Sequence, residues 1–218
     1  MNRYLEKYIL RYYDSISFDI FDTLVERDID DPRDIFDIVE NEMRENGFRQ
    51  RRIEAENRAR LKKMSREVVL DEIYDELQDT INDREILKKC EVKTELEHIF
   101  PKRDIICFFN RCIAEEKDIY LISDMYLPES VIKQILNKCG INRYNKLYLS
   151  NKYGANKISS KLFEILLEKE SIDHGAILHI GDSIRADFFG ARGADIKSIL
   201  VGRKKRFKRM INKICQQK

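Results

Sequence analysis

Residues 16–24 read ISFDIFDTL, an apolar, strand-like run that carries two aspartates, Asp19 and Asp22, at its downstream end. Burying a carboxylate costs several kcal/mol unless something compensates it. A strand that stops on aspartate is therefore either capping a turn or doing chemistry, and the rest of the chain decides which.

Working outward, four further short apolar runs are rich in β-branched or aromatic residues: DIYLIS at 118–123, KLYLS at 146–150, AILHIG at 176–181 and KSILV at 197–201. They predict buried strands. Between them, residues 129–139 (Val131, Ile132, Ile135, Leu136) and 158–169 (Leu162, Phe163, Ile165, Leu166) repeat apolar side chains at helical spacing. Strands alternating with helices imply right-handed crossovers and a parallel sheet covered on both faces. The expected fold class is α/β, a Rossmann-like core with a five-stranded parallel sheet.

Residues 28–100 break that rhythm, offering helices without strands. Asp31-Pro32 predicts an N-cap and first-turn proline, Ile35, Phe36, Val39 and Met43 form an apolar stripe, and Gly47 suits the helix stop. A charged run, RQRRIEAENRARLKK at 49–63, reads most simply as a solvated helix face, with arginines facing an anionic substrate as the alternative. LDEIYDEL at 70–77 and a last helix from about Asp83 follow. The expected organisation is a discontinuous core (1–27 and 101–202), an inserted all-helical cap module (28–100) and a basic C-terminal segment (203–218).

The charge balance, 41 basic against 39 acidic residues, argues against a nucleic-acid partner. The imbalance is local: residues 203–218 hold eight Lys or Arg and no acid. Phe207, Met210, Ile211 and Ile214 fall on one helical stripe there, read first as a helix packed on the core and second as a weak membrane-surface contact. Five cysteines, odd in number and without a C-x-x-C pair, suit reduced core thiols. The N-terminal stretch has no secretory-type apolar run and no segment reaches membrane-spanning length, so the expected compartment is the cytoplasm.

In a doubly wound sheet, ligands sit outside the carboxyl ends of the strands. Those ends carry Asp19 and Asp22, then Ser123 and Asp124, then Asp182 and Ser183. Three acidic strand ends brought together repel one another unless a cation sits among them. Oxygen-only ligation favours Mg²⁺, which in turn favours a phosphate substrate.

In order along nearly the whole chain, ISFDIFDTL, YLISD at 120–124, Lys157 ahead of a helix, and HIGDSIRAD at 179–187 with GARGADI at 190–196 resemble the four motifs of the haloacid dehalogenase (HAD) superfamily. The resemblance implies an aspartyl-phosphate mechanism with Asp19 as nucleophile. It implies a Mg²⁺ site from the Asp19 and Asp182 carboxylates, the Phe21 main-chain carbonyl, and Asp187 either as a ligand or behind one. Ser123 and Asp124 with the neighbouring amides, and Lys157, would bind the phosphoryl group, Lys152 and Lys161 being rivals for the lysine role. One position departs from the pattern. Phosphatases of the superfamily carry a second aspartate, the general acid and base, where this chain has Phe21. An aromatic residue there resembles the dehalogenase branch, which lacks the fourth-motif metal ligands that Asp182 supplies here. The expected function is a Mg²⁺-dependent phosphatase of a small phosphorylated metabolite. The alternatives are a catalytically impaired module that binds a phosphorylated ligand or partner, and a dehalogenase or phosphonatase. FDIFDTL with YLISDMYLP is most similar to a bacterial subgroup associated with surface-polysaccharide assembly, which points to a sugar, polyol or related precursor.

Overall fold

Strand β1 (Ser15–Asp19) is buried along its whole length; Ile16 and Phe18 on one face enter a hydrophobic core, while the other face carries the polar Ser15, Ser17 and Asp19. In the computed structural model, which describes residues 2–65 and 67–202, helix α1 (Arg3–Tyr12) precedes it. The short strand β2 (Val25–Arg27) leads into α2 (Asp34–Met43), α3 (Phe48–Leu61), α4 (Leu70–Asp75) and α5 (Ile81–Glu97). Strand β3 (Ile99–Pro101) returns the chain to α6 (Arg103–Ala114), β4 (Asp118–Ser123), α7 (Glu129–Lys138) and β5 (Lys146–Leu149). Then come α8 (Ser150–Tyr153), α9 (Lys161–Glu170), β6 (Ile177–Gly181), a π-helical turn (Ile184–Phe189) running into α10 (Gly190–Gly193), and β7 (Lys197–Leu200). The basic segment 203–218 lies outside the described residues.

The sheet order is β5-β4-β1-β6-β7 and every pairing is parallel. Register fixes which side chains share a face, because alternate residues point to opposite sides. Phe18 pairs with Leu121 and Ile180, and with Ile16 and Leu178 they enter one core. There Phe18 meets Phe108 and Phe109 of α6, ring centroids 6.3 and 5.4 Å away. Each fully buried phenylalanine contributes about 1.5–3 kcal/mol. On the other face Tyr120, Ile122, Tyr148 and Ile177 pack with Leu162, Phe163 and Leu166 of α9.

Sequence and structure differ at identifiable places. Residues around the helical insertion are not strand-free: β2 and β3 pair antiparallel as a two-stranded ribbon, Val25 opposite Pro101 and Arg27 opposite Ile99. Helix α2 starts after Pro32, whose neighbour Asp31 accepts the Arg33 N–H in a turn. That helix stops on Arg44, which itself takes the left-handed conformation (φ 57°), while Gly47 (φ 76°) opens α3. The charged run is not simply a solvated face, because Arg52 is wholly buried between α2 and its neighbours. Its guanidinium donates to both Glu91 oxygens (2.7 and 2.9 Å) and lies over the rings of Phe36, Tyr126 and Tyr74. Among the described cysteines, Cys90, Cys112 and Cys139 are buried free thiols, whereas Cys107 is exposed. No helix among the described residues is long and apolar enough to cross a membrane.

Candidate active site

Parallel strands β1, β4 and β6 end together, and their ends line a cleft of about 290 Å³. Asp19 closes β1; its Oδ1 accepts from Lys157 Nζ at 2.6 Å and its Oδ2 from the Thr23 hydroxyl at 2.8 Å. Lys157 Nζ also donates to Asp187 Oδ1 at 2.6 Å. Behind it, His179 of β6 sits with Nε2 3.1 Å from the same Asp187 oxygen and Nδ1 2.9 Å from Ser17 Oγ. Because a carboxylate only accepts, Nε2 carries the proton. Asp187 Oδ2 takes the main-chain N–H groups of Asp182 (3.0 Å) and Ser183 (2.8 Å). Ser123, at the end of β4, and Asp182, just past β6, are buried and line the cleft. A larger cleft, about 530 Å³ at the amino ends of β4 and β5, is lined by one acid, Glu116.

Three glycines make this packing fit. A Cβ on Gly181 would lie 2.2 Å from the Asp187 carboxyl carbon, and one on Gly190 would lie 2.1 Å from the Lys157 carbonyl oxygen. A Cβ on Gly193 would meet the Ser160 hydroxyl at 2.1 Å. The lysine is therefore not delivered by a helix N-terminus: α9 begins four residues later, after Ser160 in left-handed conformation. Its loop is seated on Gly190 and held by the Asp124 carboxylate, which accepts the Lys157 N–H at 3.0 and 3.2 Å. Asp124, expected to bind substrate, thus has a holding contact as well as a place in the cleft lining. Of the rival lysines, Lys152 pairs with Glu129 at 2.7 Å and Lys161 opens α9, and neither lines the cleft. No arginine of α3 lines it either.

Burial disfavours the charge on Asp19 and pushes its carboxyl up to about 6, Lys157 opposing and Asp187 adding to the rise. Burial also works against Asp187, but Lys157 and the His179 hydrogen bond outweigh it and hold that carboxyl well below the usual range. Lys157 loses solvent too, yet Asp19, Asp187 and Asp124 keep it firmly cationic, above its ordinary value. The result is two carboxylates of opposite character about one ammonium.

Asp19, Asp182 and Asp187 each bring an oxygen within 4.8 Å of the others, and all three are buried. An all-carboxylate donor set suits a hard divalent cation such as Mg²⁺. Asp187 accepts four donors on its two oxygens, which fills its lone pairs. Asp19 and Asp182 are left as the carboxylates suited to direct ligation. Phe21 lines the cleft beside them, and the Arg27 guanidinium stacks 4.6 Å above its ring while donating from Nε to Glu95 at 2.8 Å. Asp22, with φ 62°, shares the cleft lining and offers its carbonyl to Lys102 Nζ. Thr23 and His179 are the site residues that pattern reasoning did not assign. A threonine four positions after the strand-end aspartate was the available signal for the first, and a histidine between the apolar Leu178 and Ile180 was none for the second.

No family model matches the sequence, and no curated protein matches it. Solved structures do. A 2-haloacid dehalogenase from Pseudomonas syringae superposes with TM-score 0.65 at 15% identity, over 86% of each chain. The magnesium-bound HAD-type protein YfnB from Bacillus subtilis gives 0.62 at 15%, over 87% of this chain and 88% of that one. A HAD phosphatase from Thermococcus onnurineus gives 0.60 at 14%, over 88% and 87%. The fold is that of the HAD hydrolases. Both phosphatases and dehalogenases share it, so the HAD fold leaves the choice of chemistry to the residues in the cleft.

Proposed function

We propose that the protein is a Mg²⁺-dependent HAD-type phosphatase that hydrolyses a small phosphorylated metabolite in the cytoplasm, a sugar, polyol or related precursor. The observation that carries this reading is the charge of the cleft: carboxylates Asp19, Asp22, Asp124, Asp182 and Asp187 outnumber the cations Lys157 and Arg27, five to two. Such a site repels a phosphate dianion unless it takes up a cation. Asp19 and Asp182 would hold Mg²⁺, which when bound would supply that positive charge and Lewis-acid polarisation of a phosphoryl oxygen.

The chain's own residues then have separable tasks. Thr23 and Lys157 fix the Asp19 carboxylate so that one oxygen faces phosphorus. Asp19 attacks, the ester P–O bond breaks, and the phosphoryl group is carried as an aspartyl-phosphate until water attacks phosphorus and releases it. Ser123 donates to a phosphoryl oxygen, while Lys157 balances charge on both Asp19 and the phosphate. Asp187 and His179 position Lys157. With Phe21 where a protonating acid is expected, the leaving group departs unassisted, which favours phosphates whose leaving group is itself acidic. General acid help is worth about 10²- to 10⁴-fold, so alkyl esters turn over correspondingly slowly. Helices between residues 28 and 100 act as the cap that selects the substrate.

Purified protein with Mg²⁺ is expected to release inorganic phosphate from a member of a metabolite panel, and Asp19→Asn to abolish the release. Halide release from a haloacid, independent of metal, would instead favour the dehalogenase reading. A second reading rests on one observation, that Phe21 with Arg27 stacked upon it fills the acid's place. It describes a module that binds a phosphorylated ligand without turnover, and it predicts binding that survives Asp19→Asn together with no phosphate release from any compound of the panel.

A further inference from the structure

Helix α1 carries an exposed face with nothing on it to explain its composition. Tyr4, Tyr8 and Tyr12 are 84%, 50% and 58% exposed. At intervals of four residues they form one stripe about 12 Å long. Tyr8 and Tyr12 rings lie 4.7 Å apart, and the Arg11 guanidinium sits 5.5 Å over Tyr12. Arg3, Lys7 and Arg11 are exposed one position before each tyrosine. The helix's one acid, Glu6, is buried on the other side and pairs with Arg111. Asp14, just past the helix, pairs with Lys117 at 3.0 Å.

Leu5 of α1 and residues 199–202 line one cleft of about 340 Å³. The described residues therefore end beside α1, at the point where the segment 203–218, with its eight Lys or Arg and no acid, begins. That segment's composition offers no carboxylate to neutralise the cations of α1.

We propose that this face of α1 docks the protein on an anionic lipid surface. Tyrosine is suited to that boundary, its ring seated at headgroup depth with the hydroxyl in water, and the flanking cations meet the lipid charge. A second copy of the chain would bring cations against cations, and a nucleic acid would leave the regular four-residue ring spacing without use.

Sedimentation with vesicles of phosphatidylcholine and about 30% phosphatidylserine, in about 0.1 M salt, tests the proposal. The wild-type chain is expected to bind these and not pure phosphatidylcholine. Y4S/Y8S/Y12S should weaken partition at least about tenfold, and R3Q/K7Q/R11Q about 100-fold, with residues 203–218 intact and the circular dichroism unchanged. Because the chain has no tryptophan, Tyr8→Trp provides a sole indole reporter, whose emission should shift to the blue on anionic vesicles and be quenched by brominated lipid. Absence of vesicle binding would overturn the proposal. So would vesicle binding with an unshifted indole, triple variants that bind like wild type, tyrosine-dependent self-association in place of lipid binding, or tighter binding to single-stranded RNA than to the vesicles.

Discussion

Two buried charge clusters in this molecule invite comparison. In the helical insertion, Arg52 meets Glu91 in a bidentate pair, the Tyr74 hydroxyl donates to Glu91, and Glu56 is shared between Arg52 and Arg60, two cations against two carboxylates with aromatic faces enclosing Arg52. At the strand ends, Asp19, Asp124, Asp182 and Asp187 gather around Lys157. The first cluster closes its charge balance among its own side chains, whereas the second, as protein alone, does not. Both bury ions, so burial does not separate structure from chemistry; charge left over does.

Removing charge should therefore act in opposite directions at the two places. The largest effect is expected for Asp19→Asn, which should lower phosphate release by about 10⁴-fold or more without lowering thermal stability. Next is Arg52→Met, which leaves Glu91 buried without its partner. It should cost about 3–5 kcal/mol in urea unfolding, and adding Glu91→Leu, as R52M/E91L, should recover most of that. Full loss in the double variant as well would mean that the pair does more than balance itself.

Thr23→Val should cost about 1.5–3 kcal/mol of transition-state stabilisation by freeing one Asp19 oxygen, seen as a fall in kcat with KM little changed. Magnesium at about ten times its Kd should add about 1.4 kcal/mol of stability, a rise of about 3–5 °C in Tm, and Asp182→Asn should erase that response. The weakest expected effect is on pH dependence. With Asp19 raised to about 6, the metal-free native state holds a proton there between about pH 4 and 6 that the unfolded chain has released. Its contribution to stability is thus lost as pH rises through that window. Asp187 is shifted the other way, so its contribution is present above about pH 4 and lost below it. Since a cation needs Asp19 ionised, Mg²⁺ affinity by calorimetry should be about tenfold weaker at about pH 5 than at about pH 7.

The same comparison explains what was legible in the sequence. Strands β4, β5, β6 and β7 were readable within a residue, because a sheet covered on both faces requires unbroken apolar runs, whereas the run read for β1 extends to residue 24, five residues past the strand's end at Asp19. Their polar ends then announced Asp19, Ser123 and Asp182. Strands β2 and β3 were not, being three residues each and separated by the whole insertion, too short for any period. Arg52 was hidden because a charged letter in a charged run looks solvated. Phe48, Ala55 and Ala59 are buried on the same helix, and only counting the arginine as their companion completes the stripe. The support of Lys157 was equally invisible, since Gly190 and Asp124 act through main-chain contacts.

Tyr126 touches both clusters. It follows the loop bearing Ser123 and Asp124 and lines the cleft; its carbonyl accepts the Leu70 N–H at 2.9 Å and its ring faces Arg52. The insertion is thus not a lid swinging on a slack tether. A rigid-body shift of these helices must either break that main-chain hydrogen bond or drag the loop bearing Ser123 and Asp124 along, so access to the cleft and the arrangement of its lining are mechanically geared to each other.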